Sequence, residues 1–211
     1  MVDPAEIRSL SRAFLASRAW TLPPDSLPFL DTAGQPKTAE QILSRVGATS
    51  AVLAVACGCQ RPVARRWLRD EGLSDALSPR ERDVLDDDVD DLDDVSQTAE
   101  TLYALAWSVG LIAGADDLGT SVPDTLITAV PHPPPRPRAV AAVRSRIAPV
   151  GRLDLLRALD LTYCLDWAIV DGRLRGEETP SSPSPMVVVG RRHALEWILG
   201  DELWDDVSMD T

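Results

Sequence analysis

The stretch LDLLRALDLTYCLDWAIVDGRL, Leu153 to Leu174, decides the fold class of this chain. Leu156, Leu159, Tyr163, Trp167, Val170 and Leu174 recur at steps of three or four. That spacing lays one apolar stripe along an α-helix, whereas a strand face would need steps of two.

Helical signals continue on both sides. Asp3-Pro4 with Glu6 is a start signal, an N-cap acceptor followed by a first-turn proline and an acid near the positive helix end, and it opens a helix expected to run to about Trp20. Thr38 with Gln41 matches a capping box, and the helix that follows runs towards Gly58 with Gly47 as its weak point. Pro62 opens a short helix that stops at Gly72, and Ser78-Pro79-Arg80-Glu81 opens another. An apolar helix is expected from about Val95 to Ala113, and a last one from about Gly190 to Leu199. Only the valines at 187–189 read as a strand, and nothing reads as its partner. The fold class is therefore all-α, a single irregular domain of about seven to eight helices. Residues 1–37 form an N-terminal helix and proline-rich loop, 38–211 the main body, and the proline-rich 131–138 a stiff connector, its PxxP notwithstanding.

The 211 residues are long enough to bury a core without staples. The net charge is −12, and Lys37 is the single lysine among 21 basic residues. Such a surface repels phosphate backbones, so no nucleic-acid and no membrane partner is expected. The arginine bias fits a GC-rich, bacterial coding sequence. Cys57, Cys59 and Cys164 have no framework spacing and read as reduced thiols, and no signal peptide or bilayer-spanning run is legible. A cytoplasmic location is expected.

Candidate chemistry is sparse. Asp86, Asp88 and Asp90 alternate as in an EF-hand loop, but its sixth and twelfth positions hold Asp91 and Gln97 instead of glycine and glutamate. The acidic run 86–94 reads as a solvated connector. His193 and Glu196 share a helix face without further ligands, so neither a metal nor a cofactor is expected. No nucleophile elbow, phosphate loop or dinucleotide fingerprint occurs. Glu100, in TAETLYALAW, must be partly buried and needs a cation, for which Arg191 and Arg192 are candidates.

LDLTYCLDWAIVDGRL, RRHALEWIL and the closing WDDVSMDT together resemble the domain-of-unknown-function family numbered 4272, whose members are mostly bacterial and uncharacterised. The resemblance falls on Asp160, Tyr163, Trp167, Asp171, Arg173, Arg191, Ala194, Leu195, Trp197, Trp204, Asp205, Asp206, Asp210 and Thr211, and upstream on Glu100, Leu105, Trp107 and Gly110. It spans about residues 38 to 211 and implies a mostly helical fold and no assigned activity. Two departures stand out. The family's Tyr-Arg-x-His-Trp is Tyr163-Cys164-Leu165-Asp166-Trp167 here, and its Trp-Arg is Gln97-Thr98.

The C-terminus reads as a docked tail. Trp204 is expected to plug the gap between the last helix and the Tyr163–Trp167 helix, with Asp205 and Asp206 near Arg173, Arg191 or Arg192. The functional expectation is a non-catalytic protein-interaction module with an unidentified protein partner. The alternatives are an enzyme or small-ligand binder with a cleft around Glu100, Tyr163 and Asp166, or an acidic immunity-type protein that neutralises a basic toxin.

Overall fold

Local capping chemistry sets most helix starts. In the computed structural model, which describes residues 3–86, 95–119 and 121–210, Asp3 accepts from the Ala5 amide at 2.9 Å and opens α1, Pro4–Ser17. Thr38 and Gln41 form a reciprocal capping box at the head of α2, Ala39–Ala56. α3 spans Arg61–Asp70, and a second capping box, Ser78 with Glu81, opens α4, Pro79–Leu85. α5, Val95–Ser108, and the short α6, Leu126–Ala129, and α7, Val140–Arg144, follow. α8, Arg152–Arg175, carries the stretch that decided the fold class, and α9 is Pro185–Leu199. The protein is all-helical; among the described residues the only strand-like pairing is an isolated bridge between His132 and Arg138. That bridge closes the proline-rich segment into a loop.

Three helix boundaries differ from the sequence expectation. α1 stops at Ser17, since Ala19 turns the chain at φ 58° and buries Trp20. α5 stops at Ser108 because Gly110, at φ 73°, reverses the chain so tightly that a Cβ there would lie 2.1 Å from the Ala148 carbonyl oxygen. The valines at 187–189 are helical, not a strand: α9 begins at Pro185, and Val188 is fully buried in it. Packing has overridden their β preference. The acidic run, apart from Asp86, lies outside the described residues, and with it most of the calcium question. Asp86 itself pairs with Arg65 of α3 at 2.6 Å.

The long helices pack in the order α1, α8, α9, α5, α2, α3, each against the next. α9 is thus flanked by α8 and α5. A larger apolar cluster fills the space around α2, α5 and the first half of α8, and a smaller one joins α1, Trp20 and the second half of α8. The α8 stripe is buried at Leu156, Leu159 and Tyr163 but emerges at Val170 and at Leu174, which is 82% exposed. Past Tyr163 the covered face moves to Leu165, Ala168 and Ile169, where α1 packs.

Candidate functional site

Adjacent residues of a helix point about 100° apart, so Arg191 and Arg192 of α9 diverge. Arg191 turns to α5. Its Nε donates to Glu100 at 2.7 Å, and its Nη1 donates to the carbonyls of Ala115 and Asp117 at 2.8 and 3.0 Å. The guanidinium lies 5.0 Å from the centroid of the Tyr103 ring. Arg192 turns to α8. It pairs with Asp166, donates to Glu196 at 3.2 Å, and holds the carbonyls of Met209 and Asp210 at 3.0 and 2.8 Å. Tyr163 lies between two cations, with Arg192 and Arg8 4.8 and 5.7 Å from its ring centroid.

Two further buried pairs complete the pattern. Arg8 of α1 meets Asp160 of α8 at 2.9 Å, with Ser11 donating to the same carboxylate at 2.6 Å. Arg45 of α2 pairs with Glu81 of α4 and donates to the Ala76 carbonyl at 2.8 Å. Each arginine is neutralised by a carboxylate and places further N–H groups on backbone oxygens, the condition under which a buried charge is tolerated, although the Nε of Arg45 is buried without a partner.

Glu100 with Arg191, and Tyr163 with Asp166 and Arg192, therefore form two separate networks on opposite sides of α9. They do not converge on one cleft. Trp167 is half-buried against the smaller cluster, and Arg173 is exposed near the end of α8. Burial pushes the carboxyl of Glu196 up from its ordinary range, against the lowering pull of Arg192. Burial likewise drives the Cys164 thiol up to about 12, which leaves it protonated and inert at neutral pH.

The tail docks elsewhere than expected. Trp204, Asp205 and Asp206 form a 3₁₀ turn. Trp204 does not fill the gap between α9 and α8. It meets His193 and Trp197 of α9 edge to face, at 4.4 and 5.4 Å between ring centroids, and the Arg45 guanidinium sits 4.4 Å from its ring centroid. The His193 Nε2 lies 3.1 Å from the Trp204 carbonyl. Asp205 accepts from the Arg80 backbone amide at 3.1 Å instead of approaching Arg173, Arg191 or Arg192. Asp206 is exposed.

This placement leaves an open groove of ≈ 770 Å³ between α2, α4, the end of α9 and the tail. Trp197, Leu203, Trp204 and Leu77 give it an apolar floor, and Leu203 is 73% exposed. Exposed carboxylates predominate on its rim, Glu40, Asp75, Asp201, Glu202 and Asp206, with the exposed Arg82 among them and Glu40 paired to Arg144 at 3.1 Å. Lys37, also in the lining, spends its ammonium on the Gly200 carbonyl at 2.8 Å, 5.6 Å from the Trp197 ring centroid. Sequence reasoning missed Arg8, Arg45, Glu81 and Leu203. The one local signal was Arg45, which sits three and four residues from Ile42 and Thr49 on the apolar side of α2.

Among the described residues, no helix is long and apolar enough to cross a membrane. A family model described as a domain of unknown function, DUF4272, matches residues 8–207. No curated protein and no solved structure matches the chain.

Proposed function

The chain belongs to the DUF4272 family, a domain of unknown function, and we propose that it acts as a non-catalytic protein-interaction module whose groove receives a basic, amphipathic segment of a partner protein. What supports it is the groove: an indole and leucine floor with a predominantly acidic rim, its lysine already bound to the end of α9 and Arg82 the exposed arginine in its lining. Apolar anchors in a floor supply affinity, and a rim in which one sign predominates selects the partner and steers its approach. The candidate acids and arginines deeper in the protein are bonded to one another. A basic toxin would meet the same chemistry, so the immunity-type role is a special case of this one.

The test is a titration of labelled peptides read by fluorescence anisotropy. One peptide carries leucines and arginines at helical spacing, a second has glutamates in place of the arginines, and a third has serines in place of the leucines. The first should bind, weaken as salt rises, and lose about tenfold or more in affinity to Leu203→Asp. Equal binding of the arginine and glutamate peptides, or binding by neither, would overturn the proposal.

A further inference from the structure

Beside the tail, an open pocket of ≈ 540 Å³ lies between the 28–31 segment, Tyr163 of α8, α9 and residues 207–210. Its volume is in the range that accepts small molecules. Carboxylates dominate the lining: the exposed Asp31, Glu202 and Asp210 join the half-buried Glu196. Among the described lining residues the one cation is Arg192, which is 2% exposed and held by Asp166, Glu196 and two tail carbonyls. The charge that the pocket offers a visitor is therefore negative. Burial, and to a smaller extent the charge of Glu202, raises the Glu196 carboxyl against the pull of Arg192, and a second cation here would relieve that repulsion.

A cluster of acids alone is an ordinary solvated face. Tyr163 makes the difference. The chain has two tyrosines, both largely buried, and the other, Tyr103, donates to the Ala113 carbonyl at 2.7 Å. Tyr163 is 9% exposed, yet its hydroxyl has no hydrogen-bond partner among the described residues. Thr49 and Ser50 also carry hydroxyls without partners, but theirs are sealed from solvent, and the Tyr163 oxygen is not. Arg192 and Arg8 lie over its ring, so the hydroxyl is the part left to face the pocket. A buried phenol normally finds a partner. This one sits in an acidic pocket beside Phe29, which is 53% exposed, and is placed to accept a hydrogen bond from a bound donor.

We propose that this pocket binds a primary alkylammonium group. Such a head is a compact charge with three donors. The Tyr163 oxygen and carboxylates from three different segments, Asp31, Glu196 and Asp210, suit it better than they suit a guanidinium, whose planar fork matches a single carboxylate. Phe29 and Val207 offer apolar surface to the alkyl stem. The same ammonium is carried by free diamines and by the lysine side chains of proteins. Glu202 is the one lining residue shared with the groove, so this inference stands independently of the groove's partner.

Isothermal titration of the full chain tests this with probes of comparable length. Cadaverine is a free diamine, and N-acetyl-lysine methylamide presents the ammonium as a protein does; 1-pentanol and valerate are the neutral and anionic counterparts. At least one amine should bind and weaken as salt rises, and the alcohol and the acid should bind about tenfold more weakly or worse. Binding of cadaverine alone would assign the site to free amines, binding of the lysine derivative alone to a protein side chain, and binding of both to the ammonium whatever carries it. Tyr163→Phe removes only the hydroxyl and should cost about tenfold in affinity. Asp31→Asn removes a charge but keeps the acceptor for the Ala33 amide, so it should weaken binding with the fold intact. Asp124→Asn, at an exposed acid outside the pocket, should leave binding unchanged. Failure of both amines to bind, equal binding of the alcohol or the acid, wild-type affinity in both folded pocket variants, or an equal loss in Asp124→Asn would each overturn the proposal.

Discussion

Arg191 is fully buried, and its charge is answered by partners that include Glu100, two carbonyls and the face of Tyr103. A buried ion pair of this kind adds little stability relative to apolar residues of the same volume, yet breaking one half of it is severe. Glu100→Gln strands a buried cation and should cost about 3–5 kcal/mol in a urea or guanidinium denaturation. The double variant Glu100→Leu, Arg191→Met should recover most of that loss, because it removes the charge together with its counter-ion. A single variant within about 0.5 kcal/mol of the wild type would mean that the guanidinium finds solvent and the pair is not closed. Sequence alone had placed Glu100 against one of two arginines. It could not choose between them, since the choice depends on which helix lies on which side of α9.

The helix crossing is where that choice is made. At Gly190 the backbones of α9 and α5 meet so closely that an added Cβ would lie 2.6 Å from the Gln97 carbonyl oxygen and 2.9 Å from the Glu100 Cβ. Two effects of Gly190→Ala oppose each other. Helix propensity favours alanine by about 0.5–1 kcal/mol, whereas forcing α9 off α5 costs about 1–3 kcal/mol or more in a packed core. The contact is to backbone, which cannot rotate away, so the second term should win and the variant should melt lower than the wild type. A rise in melting temperature would show that the two backbones separate at this crossing at little cost. The caps at Asp3, Thr38 and Ser78 were legible because their chemistry spans only three or four residues. The valines at 187–189 misled because local β preference carries no knowledge of the apolar cluster that α8 and α1 offer Val187 and Val188. The groove was illegible for a related reason: its wall combines Lys37, Glu40, Leu77, Trp197 and Leu203, which only the tertiary fold brings together.

Across the whole molecule, Trp204 is where the tail, α2 and α9 meet at the groove. It is half-buried, held by Arg45, His193 and Trp197, so Trp204→Ala should lose about 2–3 kcal/mol of stability from apolar burial and the cation–π contact together. Its binding consequences separate it from its neighbours. Leu203 is 73% exposed, so Leu203→Asp should weaken the basic peptide while leaving the melting temperature near that of the wild type. Trp204→Ala should lower both, because the indole is floor to the groove and packing for α9. A folded Trp204→Ala variant that binds the peptide as the wild type does would make the indole a structural plug, with the floor of the groove supplied by Trp197 and Leu203.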